Sequence, residues 1–195
     1  MSQNTRSELV KPPEFIHDIK FNETIYKGTI DKLVLIVIDA LREDFVVREN
    51  MPFLVGAGST NGCSINVEVE SPTVTLPRIK ALTTGSVPQF IDVLLNLMST
   101  EVFDDSILHR LVAGRKNIVF YGDDTWLKIY PRLFLRSEGT SSFYVNDYVE
   151  VDDNVTRNVK AELVNDDWDV MCLHYLGTIL PHYTFRFIRY NLIAR

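Results

Sequence analysis

The chain has 195 residues, of which 46% are hydrophobic and 24% charged, an ordinary globular balance with enough length for one domain around a hydrophobic core. Lys and Arg number 20 and Asp and Glu 26, for a net charge of −6, and the basic residues are scattered. Neither a nucleic-acid-binding face nor a polybasic anchor for an anionic membrane surface is expected.

Residues 1–30 read as a polar, irregular lead-in, in which Pro12-Pro13 breaks any helix. The opening MSQNTRSELVKPPEF lacks the apolar run of a secretory leader, and no window reaches the length of a transmembrane helix, so neither is expected. Two sequons, Asn22-Glu23-Thr24 and Asn154-Val155-Thr156, point the other way, because each fits a glycosylation acceptor in a secretory compartment. Next comes Leu33-Val34-Leu35-Ile36-Val37-Ile38. Six apolar residues without alternation suit a strand buried on both faces of a parallel sheet, and Asp39 ends it abruptly. A second strand is expected over Cys63 to Glu70. The turn Ser71-Pro72-Thr73-Val74-Thr75-Leu76-Pro77 then leads into a helix, with Pro77 at its first position, Ile79, Leu82 and Thr83 toward the core, and Gly85 as its stop. Further helices are expected around Phe90–Met98 and Asp105–Ala113.

A third strand, Asn117 to Tyr121, runs into Gly122-Asp123-Asp124. A helix is expected from Val155 to Leu163 and a fourth strand from Trp168 to Tyr175. Strands alternating with helices predict an α/β fold with a mostly parallel central sheet, in which 33–38, 117–121 and 168–175 are neighbours. Two cysteines, Cys63 and Cys172, are too few for a disulfide scaffold. Separate buried thiols inside strands are expected, with a single bridge as the alternative.

Ligands of open α/β sheets gather beyond the carboxyl ends of the strands. That rule selects Asp39 after the first strand, Thr73 and Thr75 after the second, Asp123 and Asp124 after the third, and His174 near the end of the fourth. Asp39 is either an oxygen ligand for a divalent metal or a cap for residues 40–44. Thr75 precedes a helix whose N-terminus favours phosphate. Its hydroxyl is either a helix cap or, with its pKa lowered, a nucleophile. Thr73 has the same two readings and fits the helix start less well. Arg78 could hold a phosphate oxygen, and both Arg78 and Lys80 also read as surface cations. Asp123 and Asp124 read as an Asx turn or cap for 125–129, with metal binding as the alternative. His174 reads as a core histidine with a backbone partner rather than a ligand. His109 and His182 have no visible partners, and Phe143 and Tyr144 read as core or sheet residues.

The combination of blocks is more specific than any one of them. LVLIVIDALREDF (33–45) resembles the opening strand and metal-binding Asp of the alkaline phosphatase superfamily. SPTVTLPRIKALTTGS (71–86) resembles the nucleophile segment of its GPI ethanolamine phosphate transferases. FYGDDTW (120–126), VNDYVEVDDNVT (145–156) and DWDVMCLHYLG (167–177) resemble later blocks of that family. The resemblance implies a three-layer sandwich, and it implies transfer of phosphoethanolamine from phosphatidylethanolamine to the second mannose of the GPI anchor precursor. It further implies Thr75 as the nucleophile, Asp39 and Thr75 as ligands of two divalent ions, expected to be zinc, and Arg78 as a substrate-binding cation. A lumenal domain at the endoplasmic reticulum membrane, a membrane partner subunit and glycans at Asn22 and Asn154 follow from the same resemblance.

After Gly177 the family pattern continues with an Asp-His pair and Gly-His, supplying metal ligands; here the chain reads Thr178-Ile179-Leu180-Pro181-His182-Tyr183. The expected organisation is therefore a lead-in over 1–30, a partial phosphotransferase domain over 31–177 and a divergent tail over 178–195. A chain of this kind is expected to hold zinc weakly and to be inactive alone. A truncated, non-catalytic isoform is the alternative reading.

Overall fold

The computed structural model describes residues 15–16, 19–20, 30–39, 41–60, 62–69, 74–87, 105–141 and 148–176. Two short strands, β1 (Phe15–Ile16) and β2 (Ile19–Lys20), pair antiparallel, so the lead-in carries a small hairpin. After it come β3 (Leu33–Ile38), a 3₁₀ turn (Glu43–Phe45), α1 (Pro52–Thr60), α2 (Thr75–Thr84), α3 (Ile107–Ala113) and β4 (Ile118–Asp123). The order continues with α4 (Thr125–Ile129), β5 (Arg136–Thr140), α5 (Tyr148–Glu162) and β6 (Val170–Tyr175).

The last four strands form one sheet in the order β3-β6-β4-β5, with every pairing parallel. The three apolar runs foreseen as parallel neighbours are neighbours, with Ile36 and Phe120 opposite Leu173 and Cys172 respectively. Alternate residues of each strand serve opposite faces. Ile118, Phe120, Val170 and Cys172 pack on one face with Ile79 of α2, Leu108 of α3 and Trp126 and Ile129 of α4. Val119, Tyr121, Met171 and Leu173 pack on the other with Val155 and Val159 of α5. The architecture is therefore helices on both sides of a parallel sheet, consistent with part of an alkaline-phosphatase-like fold. β4 and β6 are buried at every residue, whereas β3, with β6 as its sheet neighbour, is half-buried or exposed.

Several elements depart from the sequence reading. Residues 63–69 form no strand and are exposed, although Ile65, Val67 and Val69 alternate with polar residues. Alternation supplies the side-chain pattern of a strand, but ladder partners make the strand. Cys63 is accordingly an exposed free thiol outside any strand, while Cys172 is buried in β6. Helix α2 starts at Thr75, so Pro77 lies third in the helix, still in the turn whose N–H groups have no intrahelical acceptor. Ile79 and Thr83 face the core but Leu82 is 55% exposed. Gly85 ends the helix in the left-handed region, at φ 69°. α5 begins at Tyr148, one to two turns before the expected start. The strand β5 was not foreseen, because Arg-Ser-Glu-Gly-Thr has no apolar period. The helix expected at 90–98 lies outside the described residues, as do Phe143 and Tyr144.

Candidate functional site at the carboxyl edge of the sheet

Parallel strands deliver their carboxyl ends to one edge, and two of the selected residues meet there. Asp39 leaves the end of β3, held by its own N–H donating to the Tyr175 carbonyl at 2.9 Å. Thr75 opens α2, which packs by Ile79 against the same face as Phe120 and Cys172. The Thr75 hydroxyl donates to Asp39 Oδ2 at 2.8 Å, across 36 residues of sequence. The residue at the N-cap position is Val74, not Thr75, so the threonine hydroxyl is directed to Asp39. Asp39 in turn does not cap the 3₁₀ turn, whose N-cap residue is Arg42.

Around this pair lies a cleft of about 620 Å³. Asp39, Thr75, Arg78 and His174 line it together with an apolar wall that includes Val37, Val67, Val69, Leu82 and Val87. The N–H groups of the first turn of α2 lack acceptors four residues back, and the helix dipole adds positive potential at Thr75. Arg78 lies one turn further along the same helix and reaches the cleft, whereas Lys80 is buried and is not among its lining residues.

The fourth side chain was read from sequence as a core histidine. His174 is indeed buried, at 1% exposure, but its partner is a side chain: Trp126 Nε1 donates to His174 Nδ1 at 3.1 Å. Burial holds its pKa below the usual histidine value, against the opposing pull of Asp123 and Asp39. Trp126 stands in the block FYGDDTW but carries no site role in the sequence reading. The one available signal was an aromatic residue two positions after Gly122-Asp123-Asp124, in a helix too short to display a period.

Asp123 makes the expected Asx turn, with its Oδ1 accepting from the Thr125 N–H at 2.9 Å. Asp124 pairs with Lys128 at 2.7 Å. His109 pairs through Nδ1 with the Ser106 hydroxyl at 2.8 Å, at the start of α3 and outside the cleft lining. Asn154 is 5% exposed and its amide nitrogen donates to Glu138, so the side chain of the second sequon is turned inward in the folded chain. Asn22, Thr73 and His182 lie outside the described residues.

A metal site needs more than this cluster provides. Asp39 and Thr75 bring two oxygen donors to one point. Among the described residues no group of three or more His, Cys, Asp or Glu side chains is arranged to hold a metal ion. Zinc takes three or four protein ligands, so the described residues do not by themselves make a zinc site. No helix among the described residues is long and apolar enough to cross a membrane.

No family model matches the chain, and no solved structure matches it. Curated proteins do. It is 49% identical over 161 residues to the human GPI ethanolamine phosphate transferase 2, catalytic subunit, a match covering 79% of this chain and 16% of that protein. It is 48% identical over 162 residues to GPI ethanolamine phosphate transferase 2 of Schizosaccharomyces pombe, covering 77% of this chain and 21% of the relative. Against the Aspergillus oryzae protein of the same name the identity is 42% over 174 residues, 83% of this chain and 20% of the relative. The chain thus spans about a fifth of the length of the curated relatives it matches. Over that shared stretch it belongs to the GPI ethanolamine phosphate transferase 2 family.

Proposed function

We propose that this chain carries the nucleophile-bearing edge of a GPI-anchor phosphoethanolamine transferase, with Thr75 as the attacking group. The observation that carries the reading is the Thr75–Asp39 hydrogen bond at the carboxyl edge of a parallel sheet, at a helix N-terminus and inside a cleft. A hydroxyl at that place can attack phosphorus while backbone N–H groups and Arg78 hold the non-bridging oxygens. In the reaction the Thr75 oxygen bonds to the phosphorus of phosphatidylethanolamine, the diacylglycerol oxygen leaves with a proton, and phosphoethanolamine remains on Thr75. The acceptor mannose hydroxyl of the GPI precursor then displaces Thr75 and takes the group. The second mannose is the acceptor this reading assigns.

Asp39 orients the Thr75 hydroxyl and would share a divalent ion, zinc in this reading, with the Thr75 oxygen. Bound there, such an ion lowers the pKa of a coordinated hydroxyl. Where the family pattern supplies Asp-His and Gly-His ligands after Gly177, this sequence has Thr178-Ile179-Leu180-Pro181-His182-Tyr183, so this chain alone is expected to hold zinc well below one ion per molecule and to turn over no substrate. The same reading places the complete enzyme at the endoplasmic reticulum membrane with this domain lumenal, beside a membrane partner subunit, and keeps Asn22 as its glycan candidate.

The test uses a chimera. Residues 31–177 replace the matching stretch of the Schizosaccharomyces pombe relative, and phosphoethanolamine addition to the GPI precursor is measured in cells lacking that protein. The chimera is expected to restore addition, Thr75→Ser to retain a measurable part and Thr75→Ala to abolish it. Full restoration by Thr75→Ala sinks the nucleophile.

A further inference from the structure

We propose that His174 is a neutral Nε2–H donor, set by Trp126 to bind a phosphoryl oxygen in the cleft beside Thr75. The inference rests on the reading of that cleft as a phosphoryl-transfer site and adds to it a binding residue and its protonation form. An indole N–H can only donate. Because Trp126 Nε1 lies 3.1 Å from His174 Nδ1, that ring nitrogen must be an acceptor and carries no proton. The proton of the neutral ring is then on Nε2. An imidazolium would set two N–H groups against each other at this contact.

The His174 ring has one polar atom left after this bond, Nε2, and the residue lines the cleft with Asp39, Thr75 and Arg78. The backbone of His174 is placed independently of that bond. Gly122 lies opposite His174 in the β4–β6 ladder, at φ 143°, and a Cβ there would stand 2.3 Å from the His174 carbonyl oxygen and 2.8 Å from its Cβ. The His174 backbone is therefore placed by a glycine that lets its strand close up, and the ring meets a tryptophan that packs edge-on, with ring centres 6.2 Å apart. A neutral donor differs from Arg78 in kind. It supplies a hydrogen bond to a developing oxyanion without drawing the anion into a fixed ion pair, and it costs little to keep buried.

The ring nitrogens of His174 in the whole 195-residue chain can be read directly by long-range proton–nitrogen NMR correlation, first alone and then on titration with inorganic phosphate. The expected spectrum is the neutral Nε2–H form at pH 7, with Nε2 moving on phosphate addition in step with Thr75. Trp126→Phe should let the other tautomer or the cation appear. Two substitutions separate the ring's ends: Asn keeps an acceptor near the Nδ1 position, and Gln keeps a donor near Nε2. H174N is expected to weaken phosphate binding about tenfold or more, the loss of one hydrogen bond to a charged group, and H174Q by much less. An Nδ1–H or cationic ring in the wild-type chain overturns the proposal whatever the cleft does. A phosphate shift at Thr75 with none at Nε2 overturns the donor role and leaves the cleft reading standing. Shifts at neither overturn both.

Discussion

Thr75 and Asp39 are joined by one hydrogen bond whose acceptor is charged, so each should contribute to stability as well as to chemistry. Asp39→Ala is expected to cost about 1–2 kcal/mol in denaturant unfolding, with the Thr75 hydroxyl losing its acceptor. Thr75→Val, which keeps the shape but takes this donor from the Asp39 carboxylate, should cost a similar amount; no loss with either substitution in a denaturant titration would show that the bond is not formed. The two cysteines behave oppositely. Burial pushes the Cys172 thiol up to about 12, whereas Cys63 is exposed. One thiol per native chain should therefore react at once with a disulfide reagent at pH 8, and the second only after unfolding. Two fast thiols would mean that β6 is not buried. Gly122→Ala should destabilise the chain by about 2 kcal/mol or more, since a positive φ and the His174 carbonyl both stand against a Cβ.

Among the elements, β5 shows how a strand can be made by its partners. Its sequence is polar, yet it pairs with β4 from Val119–Arg136 to Asp123–Thr140. A buried carboxylate ties it to α5. Arg136 donates to Glu162 at 2.7 and 2.8 Å and to both oxygens of Asp167 at 2.7 Å, while the Tyr121 hydroxyl donates to Glu162 at 2.6 Å. Arg136 above all, with Tyr121 and Asn165, holds the Glu162 carboxyl down to about 2 against the penalty of burial. The folded pKa lies below the unfolded value, so this stabilisation is complete above about pH 4.5 and is lost as pH falls toward 2. Glu162→Gln should therefore lower stability at pH 7 by about 3 kcal/mol and flatten the acid limb between those values, because the half-buried Arg136 guanidinium loses its buried carboxylate partner. An unchanged acid limb in urea titrations from pH 5 to pH 2 would count against the clamp. α2 and α3 follow local rules more closely. Gly85 closes α2 in the left-handed region, and the Ser106 hydroxyl caps α3 by accepting the His109 N–H at 3.3 Å.

Across the whole molecule, burial falls from the two central strands outward, and exchange should follow it. The amides of β4 and β6 should be the slowest to exchange with deuterium and those of β3 faster, since β3 is half-buried where its neighbours are fully enclosed. Equal protection of β3 and β6 would show that β3 is covered more completely than its exposure indicates. Much of this fold was legible in advance. Largely apolar runs at 33–38, 117–121 and 168–175 announce parallel strands, because a strand covered on both faces has no polar side to alternate with. The acid that ends the first run and the threonine near the helix-opening proline are legible by the same logic, as is the glycine stop. The strand expected from Cys63 does not form over 63–69, which alternates but is unpaired, and the strand at 136–140 carries no expectation, being polar but paired, because ladder formation depends on what lies alongside and not on local pattern. By itself, then, the sequence determined the α/β class, the parallel sheet and the chemical types at its carboxyl edge, since these follow from periodicity and from residue order along single elements. Only the tertiary structure decided that Thr75 donates to Asp39, that Trp126 dictates the proton position on His174, and that Asn154 turns inward. These are contacts between residues 16 to 48 positions apart, and their geometry exists only once the strands and helices have packed.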